Sequence, residues 1–116
     1  MKLYHNGNLF GSLTNYTYET PWAYADIEPV DPAAFDTLCR AYYFLDVVIE
    51  EDWGNLTDQE EDQVYARRLA DLKLTEADLN QLRHGDWEIR ETERPDRQGK
   101  IALTECHTDG WIRWRW

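Results

Sequence analysis

Glu50, Glu51, Asp52 and Trp53 form the most chemically loaded run in the chain, and Glu61 and Asp62 follow eight residues later. Carboxylates at this density can ligate a hard cation or attract a basic surface. The ordered oxygen ligands and central glycine of an EF-hand loop are missing around them, so no metal site is assigned. The run sits at the C-terminal end of a predicted helix that opens at Pro32 and stops at Gly54, where the macrodipole is negative. Three acids at that end gain nothing from helix formation, which points to attraction of a basic partner as their use. Trp53 beside them is a large amphipathic side chain of the kind that anchors protein interfaces.

Other chemistries find less support. The chain has no G-x-S-x-G elbow, no glycine loop that could cradle a phosphate, and no C-x-x-C or H-E-x-x-H spacing. His5, His84 and His107 are far apart, and Cys106 and His107 would project to opposite sides of a strand. Cys39 falls in a helical pattern and Cys106 in a strand pattern, so both read as small packing residues. No catalytic residue, metal or cofactor is assigned. Trp22, Tyr24 and Trp53 are the aromatics best placed to line a small-ligand pocket, although 16 aromatics in 116 residues first of all imply a core built from large rings.

The acidic run belongs to a wider segregation of charge. Residues 26–62 hold 12 acids against the single base Arg40, and that balance of 1 − 12 = −11 equals the net charge of the whole chain. The remaining residues carry 11 acids and 11 bases. Clustered charge selects partners, whereas mixed charge mainly gives solubility. Nucleic acid requires a basic footprint; the only basic group, Arg90, Arg94, Arg97 and Lys100, is interleaved with Glu91, Glu93 and Asp96 and reads as salt bridges within a hairpin. The longest apolar patch, Ala41 to Ile49, is interrupted by Asp46 and is too short for a membrane span. With no apolar leader in Met1 to Phe10, the expected location is the cytoplasm.

The elements that must position these residues follow a β-β-β, three-helix, β-β-β order. Asn6-Gly7 supplies an I′ hairpin turn, Gly11 marks a bulge or close approach, and Trp22 to Ile27 alternates with Ala23, Ala25 and Ile27 on one face. Asp31-Pro32 opens the first helix, and Phe35, Leu38, Tyr42, Leu45 and Ile49 form its stripe. Thr57 to Glu60 and Thr75 to Asp78 have the spacing of capping boxes for two further helices, the latter stopped at Gly85. Asp109-Gly110 predicts a second two-residue hairpin turn, leading into a strand with Ile112, Trp114 and Trp116 on one face and Trp111, Arg113 and Arg115 on the other.

The expected fold is thus one α+β domain over residues 1–116. An antiparallel sheet of about five or six strands carries two to three helices packed on one face. The expected function is a non-enzymatic interaction module, immunity-like or inhibitor-like, that binds a basic protein through Glu50, Glu51, Asp52, Trp53, Glu61 and Asp62. Two alternatives stand beside it. One is a small-molecule binder or enzyme with an aromatic-lined cleft between helices and sheet. The other is a homo-oligomer pairing through the sheet face that carries Trp111 and Arg113.

Overall fold

The computed structural model describes all residues, 1–116. Six antiparallel strands, β1 (Lys2–His5), β2 (Asn8–Glu19), β3 (Trp22–Pro29), β4 (Trp87–Arg90), β5 (Gly99–His107) and β6 (Trp111–Arg115), join in the order β1-β2-β3-β6-β5-β4. The sheet does not stay open. β1 pairs with β2 on one side and β4 on the other, so the ring closes into a barrel. Closure removes both sheet edges and turns the alternation of each strand into an inside and an outside. Leu3, Leu13, Ala23, Ala25, Ile27, Trp87, Ile89, Leu103, Ile112 and Trp114 are buried in one apolar cluster. The alternation expected for Trp22 to Ile27 and for Trp111 to Arg115 holds, while Trp116 lies beyond β6 and is exposed.

Local signals explain most of the turns. Asn6 and Gly7 both have positive φ (51° and 81°), as a type I′ turn requires. The β5–β6 turn differs from the expected two-residue form. His107 pairs with Trp111, leaving the three residues Thr108, Asp109 and Gly110, of which only Gly110 has positive φ (94°). Gly11 is a close approach: a Cβ there would sit 2.8 Å from Ile27. Register shifts between Thr14 and Thr17 and between Leu103 and Glu105 change the phase of β2 and β5. The second shift buries Cys106 and puts Glu105 and His107 on the outer side.

Helix α1 (Pro32–Tyr43) is capped as the sequence implies, with Asp31 accepting from the amides of Ala33 and Ala34. It continues as a π-helical turn, Phe44–Val48, marked by the Ile49 amide donating to the Phe44 carbonyl at 3.1 Å. That turn rotates the apolar stripe. Phe44 and Val48 are fully buried, whereas Leu45 and Ile49, expected in the stripe, are half-buried. As a result the first half of the helix, with Phe35, Leu38 and Cys39, packs into the barrel cluster. The second half, with Ala41, Phe44 and Val48, joins Leu69, Leu74 and Leu79 in a separate cluster. The molecule measures 53 × 29 × 23 Å, elongated enough to hold two cores.

Helices α2 (Asp58–Asp71) and α3 (Glu76–His84) both open with complete capping boxes, at Thr57/Glu60 and Thr75/Asp78. Leu74 and Leu79 are both buried, as a hydrophobic staple demands. Gly85 leaves α3 in an extended conformation, and the position excludes a side chain: a Cβ would meet the Gln81 carbonyl at 2.2 Å and the Trp87 indole nitrogen at 2.5 Å. That indole donates to the same carbonyl and ties α3 to β4. α2 is held far more lightly, with Leu69 its one buried residue. No helix is long and apolar enough to cross a membrane.

Candidate functional site

The acidic run occupies the connection between the π-helical turn and α2. Glu51, Asp52, Trp53 and Glu61 come together with Ile49, Gly54 and Tyr65 around one open depression of about 380 Å³. Glu50 and Asp62 are exposed but do not line it. Two of the three acids in the run have work inside the chain. Glu51 accepts both guanidinium nitrogens of Arg68, at 2.7 and 3.1 Å, and so clamps the connection onto α2. Asp52 accepts from the Gly54 amide at 2.8 Å, closing a local turn. Glu50, Glu61 and Asp62 meet no basic side chain. The expectation that the whole run lacks a structural role therefore holds for Glu50 alone, because the Arg68 contact is made across 17 residues.

Trp53 is half-buried against the helical cluster. Its indole nitrogen is shielded from solvent and meets no acceptor, so the exposed part of this side chain is ring carbon. The neighbouring Tyr65 ring lies edge-on to Phe44 at 5.1 Å. Its hydroxyl is held above the usual tyrosine range by burial and by Glu76. Both aromatics line the depression.

Around this site the charge is unbalanced in a specific way. All twelve acids of residues 26–62 are exposed. Only Asp36 and Glu51 meet a basic side chain. The single base of the stretch is consumed internally. Arg40 donates to Asp36 and Thr37 on its own helix and to the Leu72 carbonyl at the end of α2. Strands β4–β6 behave differently: Glu88 takes Arg90, Asp86 takes Lys100, and Glu105 takes both His107 at 2.7 Å and Arg113 at 2.6 Å.

A second group of side chains lies on the outside of β3, β6 and β5. Cross-strand register sets two rows there: Tyr24, Arg113 and Glu105 in one, Asp26, Trp111 and His107 in the other. His107 stacks on Trp111 at 3.7 Å between centroids, and the Tyr42 ring from α1 lies 5.3 Å from His107. Burial, then the Glu105 carboxylate, pushes the Tyr42 hydroxyl up to about 12, so it stays a neutral donor. The Cys39 thiol is pushed up to about 12, chiefly by burial, and Cys106 is raised well above its usual value by burial beside Cys39 and Glu105. Both thiols are protonated packing groups in this environment rather than nucleophiles. No three of the His, Cys, Asp and Glu side chains converge as a metal site.

Of the aromatics singled out as pocket-lining, Trp53 lines the acidic depression and Tyr24 lines a second one, of about 370 Å³, with Trp111. Trp22 instead carries the Arg113 guanidinium on its face at 4.0 Å. The sequence placed Trp111, Arg113 and Arg115 on one strand face. It held no sign that Glu105, His107, Tyr42 and Asp26 would join them, since those neighbours come from other elements. Fold and surface together define a small α+β protein, a closed antiparallel barrel with a lightly attached, acidic helical region. No protein-family model, curated protein or solved structure matches this chain.

Proposed function

We propose that the chain is a non-enzymatic, cytoplasmic interaction module whose acidic helical region docks a basic protein. The observation that carries the reading is the unpaired state of that region's charge. Residues 31–62 place ten exposed carboxylates in and around α1 and α2, eight of which (10 − 2) lack a basic partner, and the one base of that stretch, Arg40, is spent on α1 and α2. Unpaired carboxylates on one surface repel each other and cost stability, and that cost is offset when a cationic surface covers them. Trp53 supplies a half-buried apolar anchor at the centre of the field, with Glu50, Glu61 and Asp62 as the carboxylates free to meet the partner. Glu51 and Asp52 shape the site, since their first partners are Arg68 and the Gly54 amide.

The test is affinity capture from the native host, with the intact chain and with a Glu50→Gln, Glu61→Gln, Asp62→Asn variant that leaves the Glu51–Arg68 clamp in place. A basic protein should be retained at low salt and released near about 0.5 M salt, where the Debye length falls to roughly 4 Å. The variant should retain much less of it. Equal retention by the variant, or capture that salt does not disturb, overturns the reading.

A further inference from the structure

The barrel exterior repeatedly covers an aromatic face with a guanidinium from its own chain. Arg90 lies over Tyr4 at 3.9 Å, Arg97 over Tyr16 at 4.5 Å, and Arg113 over Trp22 at 4.0 Å, with Arg115 approaching the same ring at 5.5 Å. Tyr24 and Trp111 are the exterior pair without such a cover. Their rings stand 6.1 Å apart at 44°, and they line the 370 Å³ depression with Asn15, Thr17 and Asp26. Asp26 is the direct cross-strand partner of Trp111, exposed, and without a basic side chain. Its contact is the Asn15 side-chain amide, which donates at 2.7 Å. Asn15 has a positive φ of 56° within the β2 irregularity, which brings its short side chain within reach of Asp26. The His107 ring stacks on one face of Trp111, so the indole is braced in place.

From this geometry we infer that the Tyr24–Trp111–Asp26 depression is a binding site for a cationic side chain, specifically an arginine guanidinium presented by a partner protein. Two π faces and an adjacent carboxylate favour a cation over a neutral ligand, because ring quadrupole and carboxylate attract the same charge. A planar guanidinium suits the site better than an ammonium. It can lie against a ring, as three arginines of this chain already do, while its edge donates to Asp26. The inference deepens the proposed function, in that the arginine would belong to the basic partner. The site itself can be tested without that partner.

The experiment titrates the intact protein with N-acetyl-arginine amide and follows the Trp111 indole N–H resonance, assigned by Trp111→Phe. A saturable shift at millimolar ligand is expected, with N-acetyl-lysine amide weaker and glucose silent. Asp26→Asn should weaken arginine binding about tenfold, the scale of losing one charge-assisted hydrogen bond. Tyr24→Leu provides a second variant, and unchanged Trp87 and Trp114 resonances would show that both remain folded. No shift with the arginine ligand, an equal response to glucose, or undiminished binding by Asp26→Asn each overturns the site. Failure here with salt-sensitive capture intact would leave the acidic helical surface standing; failure of capture with arginine binding intact would leave this site standing.

Discussion

The barrel and the helical region solve opposite problems with one chain. The barrel closes on itself, fills its interior with rings such as Trp87 and Trp114, and neutralises Asp86, Glu88 and Glu105 with its own bases. The helical region gathers around a much smaller apolar cluster, leaves most of its carboxylates unpaired, and attaches α2 through Leu69, the Tyr65 ring and the Glu51–Arg68 clamp. Dense packing in one half and light attachment in the other is the arrangement expected when one half sets the global stability and the other can open locally. The π-helical turn at Phe44–Val48 joins them. By rotating the stripe of α1, it lets one continuous helix contribute to both cores.

The sharpest way to break this comparison is to remove one apolar side chain from each core. Trp114→Ala should cost about 3–5 kcal/mol and destabilise the whole molecule, because it empties the centre of the barrel. Leu69→Ala should cost about 2–3 kcal/mol, the lower end for such truncations, since the residue retains slight exposure. The locations should differ more than the sizes. Hydrogen exchange in Leu69→Ala should rise in α2 while β1–β6 stay protected; in Trp114→Ala it should rise everywhere. Uniform loss in both variants would mean the two cores unfold as one unit.

Arg40 offers an intermediate test. It is the only base of residues 26–62, and it satisfies the half-buried Leu72 carbonyl at the end of α2 while pairing with Asp36. Arg40→Met keeps most of the stem but removes these bonds, so a loss of about 1–2 kcal/mol is expected. The loss should register in the exchange of the last turn of α2. Binding of a basic partner should not weaken, since the variant makes the surface more negative. A fall in partner binding larger than the fall in stability would show that α2 must be held rigid for docking.

What the sequence disclosed follows from the range of each interaction. The Asp31 cap, both capping boxes and the Asn6-Gly7 turn are decided by residues two to four apart, and each was legible. The strand faces were legible too, because alternation is local. Barrel closure was not, since it rests on Lys2 pairing with Arg90 and no short segment carries that information. The same limit applies to the acidic run. Glu51 looked free until folding placed Arg68 against it, and Asp26 met Trp111 only through the β3–β6 register. The three-residue loop at Thr108–Gly110 was missed for a subtler reason. Asp-Gly suits both a two-residue turn and a three-residue loop, and the strand registers select between them.

The smallest expected effect uses the two capping boxes as matched probes of the two kinds of attachment. Thr57→Ala and Thr75→Ala each delete a hydroxyl that accepts from the amide three residues on, at 3.2 and 3.3 Å, and each should cost about 1 kcal/mol. Thr75 lies between Leu74 and α3, which packs on α1 and β5, so its loss should be shared with the global transition and lower the melting temperature. Thr57 caps a helix with a single buried residue. That helix can open without the barrel, so Thr57→Ala should raise exchange in the first turns of α2 by roughly fivefold, the equivalent of that 1 kcal/mol, with little change in melting. If instead the two variants lower the melting temperature equally, α2 is as firmly coupled to the barrel as α3, and the light attachment inferred from Leu69 is not how the acidic surface is held.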